Sequence, residues 1–173
     1  MWGITLEYLH RAFKSDNIIR VMPNTPALVG EGMSVMCHGG RVSQGFIDDV
    51  KAILASIGSV LELDERHMDA VTALSGSGPA FIAYFIDAMA AAGATLGLGK
   101  EDAATLSIRT LMGTARLIVE GGVPPAELIR RVASPGGTTE AGLKVLDTKK
   151  LKTIVEETLD AASRRSAELA LAK

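Results

Sequence analysis

Residues 33–63 carry the pattern that decides the fold class: MSVMCHGGRVSQGFIDDVKAILASIGSVLEL. Met33–His38 is an apolar run typical of a strand, and two glycines end it. Ser43–Ile57 places its apolar residues on one helical face, with Ser43 as the expected N-cap. Ser59–Leu63 alternates like a further strand. Because strand, helix and strand follow one another, the stretch predicts α/β layers.

The residues before this stretch continue the same pattern. Thr5–Phe13 is predicted to be helical, and Asn17–Met22 is a β-branched run suited to a buried strand. Pro23-Asn24-Thr25-Pro26 stops regular structure, because neither proline can donate a backbone hydrogen bond. The turn follows the C-terminal end of a strand, where open α/β sheets bind ligands. A rigid turn without a ligand is the alternative, and the residues alone favour it.

From Asp64 onward the strand pattern disappears and helical spacing takes over. The predicted helices are Met68–Leu74, Ala80–Leu96, Lys100–Glu120, a short helix from Pro124 to Val132, Thr139–Leu146 and Lys149–Leu171. We therefore divide the chain into an α/β part, residues 1–63, and an all-α part, residues 64–173. Ala83–Gly97 is rich in alanine and glycine, so another helix can approach its backbone closely. We expect a homodimer to cover this helix.

Composition limits the class of protein and its partners. The 173 residues carry a net charge of −2, which gives no basic surface for nucleic acid or for a membrane. Ala70–Gly99 is apolar apart from Asp87, but Ser75–Pro79 interrupts it, so we expect no membrane span. A single cysteine, Cys37, fits a reducing compartment, and we expect a cytoplasmic protein. No spacing of histidine, cysteine or acidic residues predicts a metal site.

Two glycine-containing segments are candidate sites. Ser134–Glu140, SPGGTTE, precedes a helix whose free N–H groups could hold a carboxylate or phosphate. An ordinary helix–helix turn, with Gly137 or Thr138 as N-cap, explains the same residues equally well. Ser75–Pro79 matches neither a serine nucleophile elbow nor a dinucleotide loop, and we interpret it as a close-packing kink.

Three blocks together resemble the Δ1-pyrroline-5-carboxylate reductase family. They are VMPNTPALVGEG at residues 21–32, MDAVTALSGSGPA at residues 68–80 and SPGGTT at residues 134–139. The resemblance implies the end of a Rossmann-type NAD(P)H domain followed by an all-α dimerisation domain. The family's glycine-rich G-x-G-x-x-G/A loop has no counterpart in the sequence. The resemblance therefore implies that about 100 residues of the family's length precede residue 1.

The resemblance also assigns roles to residues. Ser134, Gly136, Gly137, Thr138 and Thr139 would form the cradle for the substrate carboxylate. The N–H groups of Thr138 and Thr139 would hold the carboxylate, and the Thr139 hydroxyl would lie near the ring nitrogen, as proton donor or only to orient the ring.

Outside this loop the family match is less direct. Glu65 matches a carboxylate that reaches the substrate from the dimer partner's side; alternatively it is a first-turn acid favoured by the helix dipole. Met22, Pro23 and Asn24 are similar to the segment that lines the nicotinamide end of the cofactor. Phe81 stands where many members have tyrosine. Arg131 stands at a variable position and is left out of the site.

The implied reaction is hydride transfer from NADP(H) or NAD(H) to the C=N bond of 1-pyrroline-5-carboxylate, giving L-proline. We expect no appreciable reduction by these 173 residues alone, because the glycine loop is absent. A non-catalytic oligomerisation module derived from the family is the alternative. A different imine or β-hydroxyacid reductase is a third possibility, which the family blocks argue against. We expect a homodimer through the helical part, with the possibility of a higher oligomer left open.

Overall fold

The computed structural model describes residues 4–171. Its backbone contacts group the described residues of Met1–Ala80 and Glu156–Lys173 into one compact unit, and Phe81–Val155 into a second. The domain boundary at residue 63 stays a prediction.

The first unit contains a three-stranded sheet. Its strands are β1 (Ile19–Met22), β2 (Gly32–His38) and β3 (Gly58–Glu62), in the order β1-β2-β3. Strand β2 pairs in parallel with β3, starting from Gly32 opposite Gly58. Helix α2 (Gln44–Ala55) connects these two strands, as the strand–helix–strand pattern predicts. Strand β1 runs antiparallel to β2, with Met22 opposite Val35.

Two helices begin at a side-chain N-cap, and the one at Ser43 was expected from the sequence. The hydroxyl of Ser43 accepts a hydrogen bond from the N–H of Phe46 at 3.4 Å, at the start of α2. The hydroxyl of Thr5 accepts one from the N–H of Tyr8 at 3.1 Å, at the start of α1 (Leu6–Phe13). These bonds satisfy N–H groups that have no partner within the helix.

A hydrophobic core lies between the sheet and the helices of the first unit. It is formed by Leu6, Met22, Val35, Cys37, Met68 and Val71. Burial, with a smaller contribution from the charge of Glu65, raises the pKa of the Cys37 thiol to about 11. Cys37 is therefore a protonated core residue at neutral pH.

The predicted helix Met68–Leu74 is shorter than expected. Helix α3 covers Met68–Val71, and residues Thr72–Gly76 form a wider turn in which the N–H of Ser77 donates to the carbonyl of Thr72 at 2.8 Å. A Cβ atom on Gly76 would lie 2.5 Å from Cε of Met22. The turn thus packs closely against the Met22 side chain on β1, which agrees with the close-packing interpretation of Ser75–Pro79.

The remaining chain is helical, as the sequence predicts. The helices are α4 (Gly78–Thr95), α5 (Lys100–Gly121), α6 (Pro125–Val132), α7 (Thr138–Thr148) and α8 (Leu151–Leu171). Close approach of α4 and α5 leaves only 3.1 Å between a Cβ atom placed on Gly93 and Cβ of Ala103. The predicted fold class, a small α/β part followed by an all-α region, is confirmed.

None of the 18 residues of helix α4 is buried, and the same holds for α6 and α7. The large apolar side chains of α4 are exposed; the exposed fraction is 78% for Tyr84 and 44% for Phe85.

In the first unit, the C-terminal part of α8 is held to α3, where the buried Ser166 hydroxyl donates to Asp69 Oδ1 at 2.7 Å. Across residues 4–171, no helix has the length and apolar character that a membrane crossing requires.

Candidate functional site

The loop between α6 and α7 is shaped by its two glycines. Gly136 adopts a φ of +71°, a left-handed conformation that side chains rarely tolerate. Gly137 is the N-cap of α7, and a Cβ atom there would lie 2.5 Å from the Ser134 hydroxyl oxygen. Glycine at positions 136 and 137 therefore suits the path by which the chain enters α7.

Hydrogen bonds divide the N–H groups of this loop into two sets. The N–H of Gly136 donates to Glu140 Oε2 at 2.7 Å, and the N–H of Gly137 donates to the Ser134 carbonyl at 3.0 Å. Thr138 and Thr139 are the first two residues of α7, where an N–H group has no acceptor within the helix. These two N–H groups, at the positive end of the helix dipole, can hold an anion.

Thr139 also borders an apolar cleft of about 480 Å³ within the second unit. The cleft is lined mainly by apolar residues of α5, α6 and α7, including Leu117, Ile118, Leu128, Val132 and Leu143. Two N–H groups that could hold an anion thus lie beside an apolar cleft, with the half-buried Thr139 at the boundary. This arrangement suits a small molecule that has a carboxylate on an apolar ring.

Glu65 is engaged in contacts within the first unit. Its Oε1 accepts hydrogen bonds from the N–H of Leu6 at 2.6 Å and from Arg20 Nη1 at 2.9 Å. Glu65 also lies in the first turn of a short helical segment, Glu65–His67, which agrees with its alternative interpretation as an acid favoured by the helix dipole. Glu65 belongs to the first unit and the Ser134–Thr139 loop to the second, so its role beside a substrate stays a prediction.

The turn Met22-Pro23-Asn24 is held tightly to its neighbours. The Asn24 side chain accepts from the N–H of Met33 at 2.9 Å and donates to the Ser75 hydroxyl at 3.3 Å, while Met22 is buried. Because β1 is antiparallel, the turn lies where β2 begins, whereas the rule for ligand sites concerns the ends of parallel strands. The position of this turn in the sheet therefore does not indicate a ligand site. Contact of Met22, Pro23 and Asn24 with the cofactor stays a prediction from the resemblance.

These residues alone do not fit a dinucleotide. Both polar atoms of the Asn24 side chain are used within the unit, and the 173 residues contain no Gly-x-Gly-x-x-Gly loop to hold a pyrophosphate.

One polar cluster was missed by the sequence analysis. Glu62, at the end of β3, contacts Lys51 Nζ at 2.7 Å and His38 Nε2 at 3.0 Å. The hydrogen bond from Lys51, followed by that from His38, lowers the pKa of the Glu62 carboxyl. The parallel pairing of β2 with β3 brings His38 and Glu62 together, so strand register was the missing signal.

Between residues 4 and 171, no three potential ligands among His, Cys, Asp and Glu gather into a metal site.

Residues 65–169 match the family model described as pyrroline-5-carboxylate reductase dimerisation. The chain belongs to the pyrroline-5-carboxylate reductase family. The resemblance found in the three sequence blocks is thereby confirmed.

Relatives named pyrroline-5-carboxylate reductase agree with this membership. The chain is 43% identical over 167 residues to the one from Synechocystis, covering 96% of this chain and 62% of the relative. It is 46% identical over 154 residues to the one from Pseudomonas aeruginosa, covering 88% of this chain and 56% of the relative. The chain therefore spans about three fifths of the length of these pyrroline-5-carboxylate reductases.

Solved pyrroline-5-carboxylate reductase structures are similar over nearly the whole chain. The one from Coxiella burnetii has a TM-score of 0.94 and 34% identity, covering 98% of this chain and 63% of that one. The Plasmodium falciparum enzyme, solved with NADP bound, has a TM-score of 0.90 and 34% identity, covering 98% of this chain and 68% of that one.

Proposed function

We propose that this chain acts in the reduction of 1-pyrroline-5-carboxylate to L-proline, the step that completes proline biosynthesis. The observation that carries the proposal is the pair of N–H groups at Thr138 and Thr139 beside an apolar cleft, in a chain of this family. The substrate has the two matching parts, a carboxylate and a small, largely apolar ring.

The first step is capture of the substrate carboxylate. The N–H groups of Thr138 and Thr139 would each donate to one carboxylate oxygen, and the helix dipole of α7 adds a favourable field. Ser134, Gly136 and Gly137 would contribute by fixing the loop rather than by charge, since the Ser134 carbonyl and the Gly136 conformation set the entry to the helix.

The Thr139 hydroxyl is proposed to meet the ring nitrogen. An alcohol is a poor acid near pH 7, so its contribution is to orient the ring through a hydrogen bond, with proton donation as the further possibility. NAD(P)H, when bound, supplies the hydride to the C=N carbon. Met22, Pro23 and Asn24 are the residues of this chain proposed to face its nicotinamide end.

A homodimer formed through residues 64–173 is the proposed assembly. Its support is the exposure of large apolar side chains on α4, among them Tyr84 and Phe85, and the family model's description as a dimerisation region. Glu65 would approach the substrate from the partner's side. Residues 1–63 are proposed as part of a Rossmann-type domain, and the cytoplasm as the location, because Cys37 is the sole cysteine of the sequence.

A second candidate is a non-catalytic oligomerisation module. The observation that favours it is the absence of a glycine-rich dinucleotide loop from the 173 residues. Such a module would retain the helical interface and carry out no reduction.

NADPH oxidation with 1-pyrroline-5-carboxylate distinguishes the two candidates. The 173-residue chain is assayed alone and mixed with the part of the Synechocystis relative that it does not match. We expect turnover in the mixture and none from the chain alone. Turnover by the chain alone would also support the reductase but overturn the expected need for a glycine loop. No turnover in either sample, together with no binding of L-proline, would support the non-catalytic module.

Variants of Thr139 test the site within this assay. Thr139→Ala is expected to lower kcat/KM about tenfold or more through loss of an orienting hydrogen bond, whereas Thr139→Ser keeps the hydroxyl and most of the activity. Thr95→Ala, which removes an exposed hydroxyl at the end of α4, is the matched control and should leave kcat/KM unchanged. An unchanged kcat/KM for Thr139→Ala would refute both roles of the hydroxyl.

A further inference from the structure

Helix α4 has an apolar surface nearly all the way round. Asp87 is the only charged residue in its sequence, although the helix is 18 residues long. A helix of this kind is normally covered on several sides. One side is half-buried at Ile86, Ala90 and Gly93, and there a Cβ atom on Gly93 would lie 3.1 Å from Cβ of Ala103 in α5. The other sides of α4 need a further partner.

A second side of α4 carries a stripe of exposed residues with the spacing of a coiled coil. Its members follow one another at intervals of three, four, three and four residues: Phe81, Tyr84, Ala88, Ala91 and Thr95. We call them the α4 stripe. Its two aromatic side chains come first, and the small residues after them let the backbone of another helix approach closely.

An apolar groove of about 400 Å³ lies between α4 and α5, beside the stripe. We call it the α4–α5 groove. None of the described residues that line it is charged, and they include Phe85, Met89, Leu111, Thr114, Ala115 and Ile118. Phe85 directly follows Tyr84 in the chain, so the stripe and the groove are neighbouring features of the second unit. A groove of this kind suits a helix that inserts apolar side chains at intervals of three and four residues.

We propose that the α4–α5 groove holds the α4 stripe of a second copy of this chain. The inference rests on the proposed function, because it gives the proposed homodimer a specific interface. The occupant is a second copy because residues 65–169, which contain both features, match a family model described as dimerisation. With a two-fold axis beside α4, each copy inserts its stripe into the groove of the other.

Tyr84 is the anchor of this interface. Its exposed fraction is 78%, against 36% for Phe81, the other aromatic residue of the stripe. Large aromatic side chains at the centre of an interface usually carry most of its binding energy. Asp87 lies outside the stripe, so the arrangement does not require its charge to be buried.

Sedimentation of the 173-residue chain at a series of concentrations tests the interface. Tyr84→Glu places a charge in the apolar groove, and we expect the dimer dissociation constant to rise about a hundredfold or more, because both copies carry the change. Tyr84→Phe keeps the ring and should change the constant about threefold or less. Val119→Glu is the matched control: Val119 is 80% exposed on α5 but does not line the groove.

Disulfide trapping locates the contact without disrupting it, and it decides the question if Tyr84→Glu fails to fold. Tyr84→Cys chains are mixed with Thr114→Cys chains that carry a mass tag, and we expect cross-linked dimers of one chain of each kind. A mixture of Tyr84→Cys with tagged Val119→Cys chains should give few. Cys37 is buried in the core, so it does not compete for the cross-link.

The outcomes separate this interface from the proposed homodimer. A dimer that tolerates Tyr84→Glu as well as Val119→Glu, or equal trapping at Thr114 and Val119, would overturn the interface and leave the homodimer intact. An unaltered chain that stays monomeric at every concentration would overturn both. The reductase assay tests the proposed reaction independently of either result.

Discussion

The backbones of Gly32 and Gly58 lie in direct contact. A Cβ atom on Gly58 would stand 2.0 Å from the carbonyl oxygen of Gly32, and Gly58 has a φ of +146°. The two residues face each other at the first position of the parallel pairing between β2 and β3. They therefore determine where this pairing begins.

Gly58→Ala is expected to destabilise the chain strongly. The new Cβ atom would collide with backbone that cannot move away without breaking the strand pairing, so we expect the free energy of unfolding to fall by about 3 kcal/mol or more. Urea unfolding followed by circular dichroism measures the change. Gly45→Ala is the control, because nothing lies within 4 Å of its Cβ position in α2, and it should be neutral or slightly stabilising. Equal effects of the two substitutions would contradict this account.

Asn24→Ala should destabilise the turn after β1. It removes the oxygen that accepts the N–H of Met33, and an unsatisfied, half-buried donor costs about 1–3 kcal/mol. Asn24→Asp keeps that acceptor, and the Ser75 hydroxyl can donate to it, so a smaller loss is expected. Thermal unfolding of the two variants compares them; a larger loss for Asn24→Asp would argue against the hydrogen bond to Met33 as the main contribution.

Glu65→Gln tests the structural role of this carboxylate. The Arg20 side chain is 11% exposed, so loss of its partner's charge leaves a poorly hydrated cation, and we expect a loss of about 1–2 kcal/mol. The amide oxygen of the substituted side chain would still accept the N–H of Leu6. Arg20→Met combined with Glu65→Gln should recover part of this loss in denaturant unfolding. A double variant that loses the full sum of both single changes would show that the two side chains are not coupled.

Glu62 is expected to make stability depend on acid pH. Its pKa in the folded chain is lowered from 4.5, chiefly by the hydrogen bond from Lys51, so protonation favours the unfolded chain. This stabilisation is complete above about pH 4.5 and is lost as the pH falls through the lowered pKa. The urea midpoints of Glu62→Gln and the unaltered chain should converge below that pH.

The size of this pH effect should be small. Because 41% of the Glu62 side chain is exposed, added salt should reduce the difference between the two midpoints. Glu31→Gln, a change of an exposed acid, is the control and should show no such convergence. A midpoint difference that stays constant with pH would reject the contribution of Glu62.

Local chemistry explains which parts of the fold the sequence predicts well. Helix α2 could be predicted because an apolar face and an N-cap serine depend only on residues close together in the sequence. The hydrogen bond from the N–H of Phe46 to the Ser43 hydroxyl confirms the expected cap. The helices from Lys100 to the chain's end were predicted within a few residues for the same reason. The glycines of the α7 loop also indicated a special backbone, which the φ of Gly136 bears out.

The features that the sequence could not predict depend mainly on contacts between residues far apart in the chain. Alternation identifies a strand but not its direction, so the antiparallel pairing of β1 and the resulting position of Asn24 could not be predicted. The bond between Asn24 and Ser75 joins residues 51 positions apart, and the wide turn at Thr72–Gly76 lies against Met22, which is about 50 positions earlier in the chain. The bond from Gly136 to Glu140 is local, but it depends on a side-chain rotamer that residue spacing does not determine.

The exposure of helix α4 should lower the heat-capacity increment of unfolding of the single chain. The heat-capacity increment of unfolding grows with the apolar surface that unfolding newly exposes. Many side chains of α4, among them Tyr84 and Phe85, are already exposed to water in the single chain, so melting this helix adds less to that increment than melting a buried helix would. The increment per residue should therefore lie below the usual range for globular proteins at high dilution, and the proposed homodimer predicts that it rises with protein concentration.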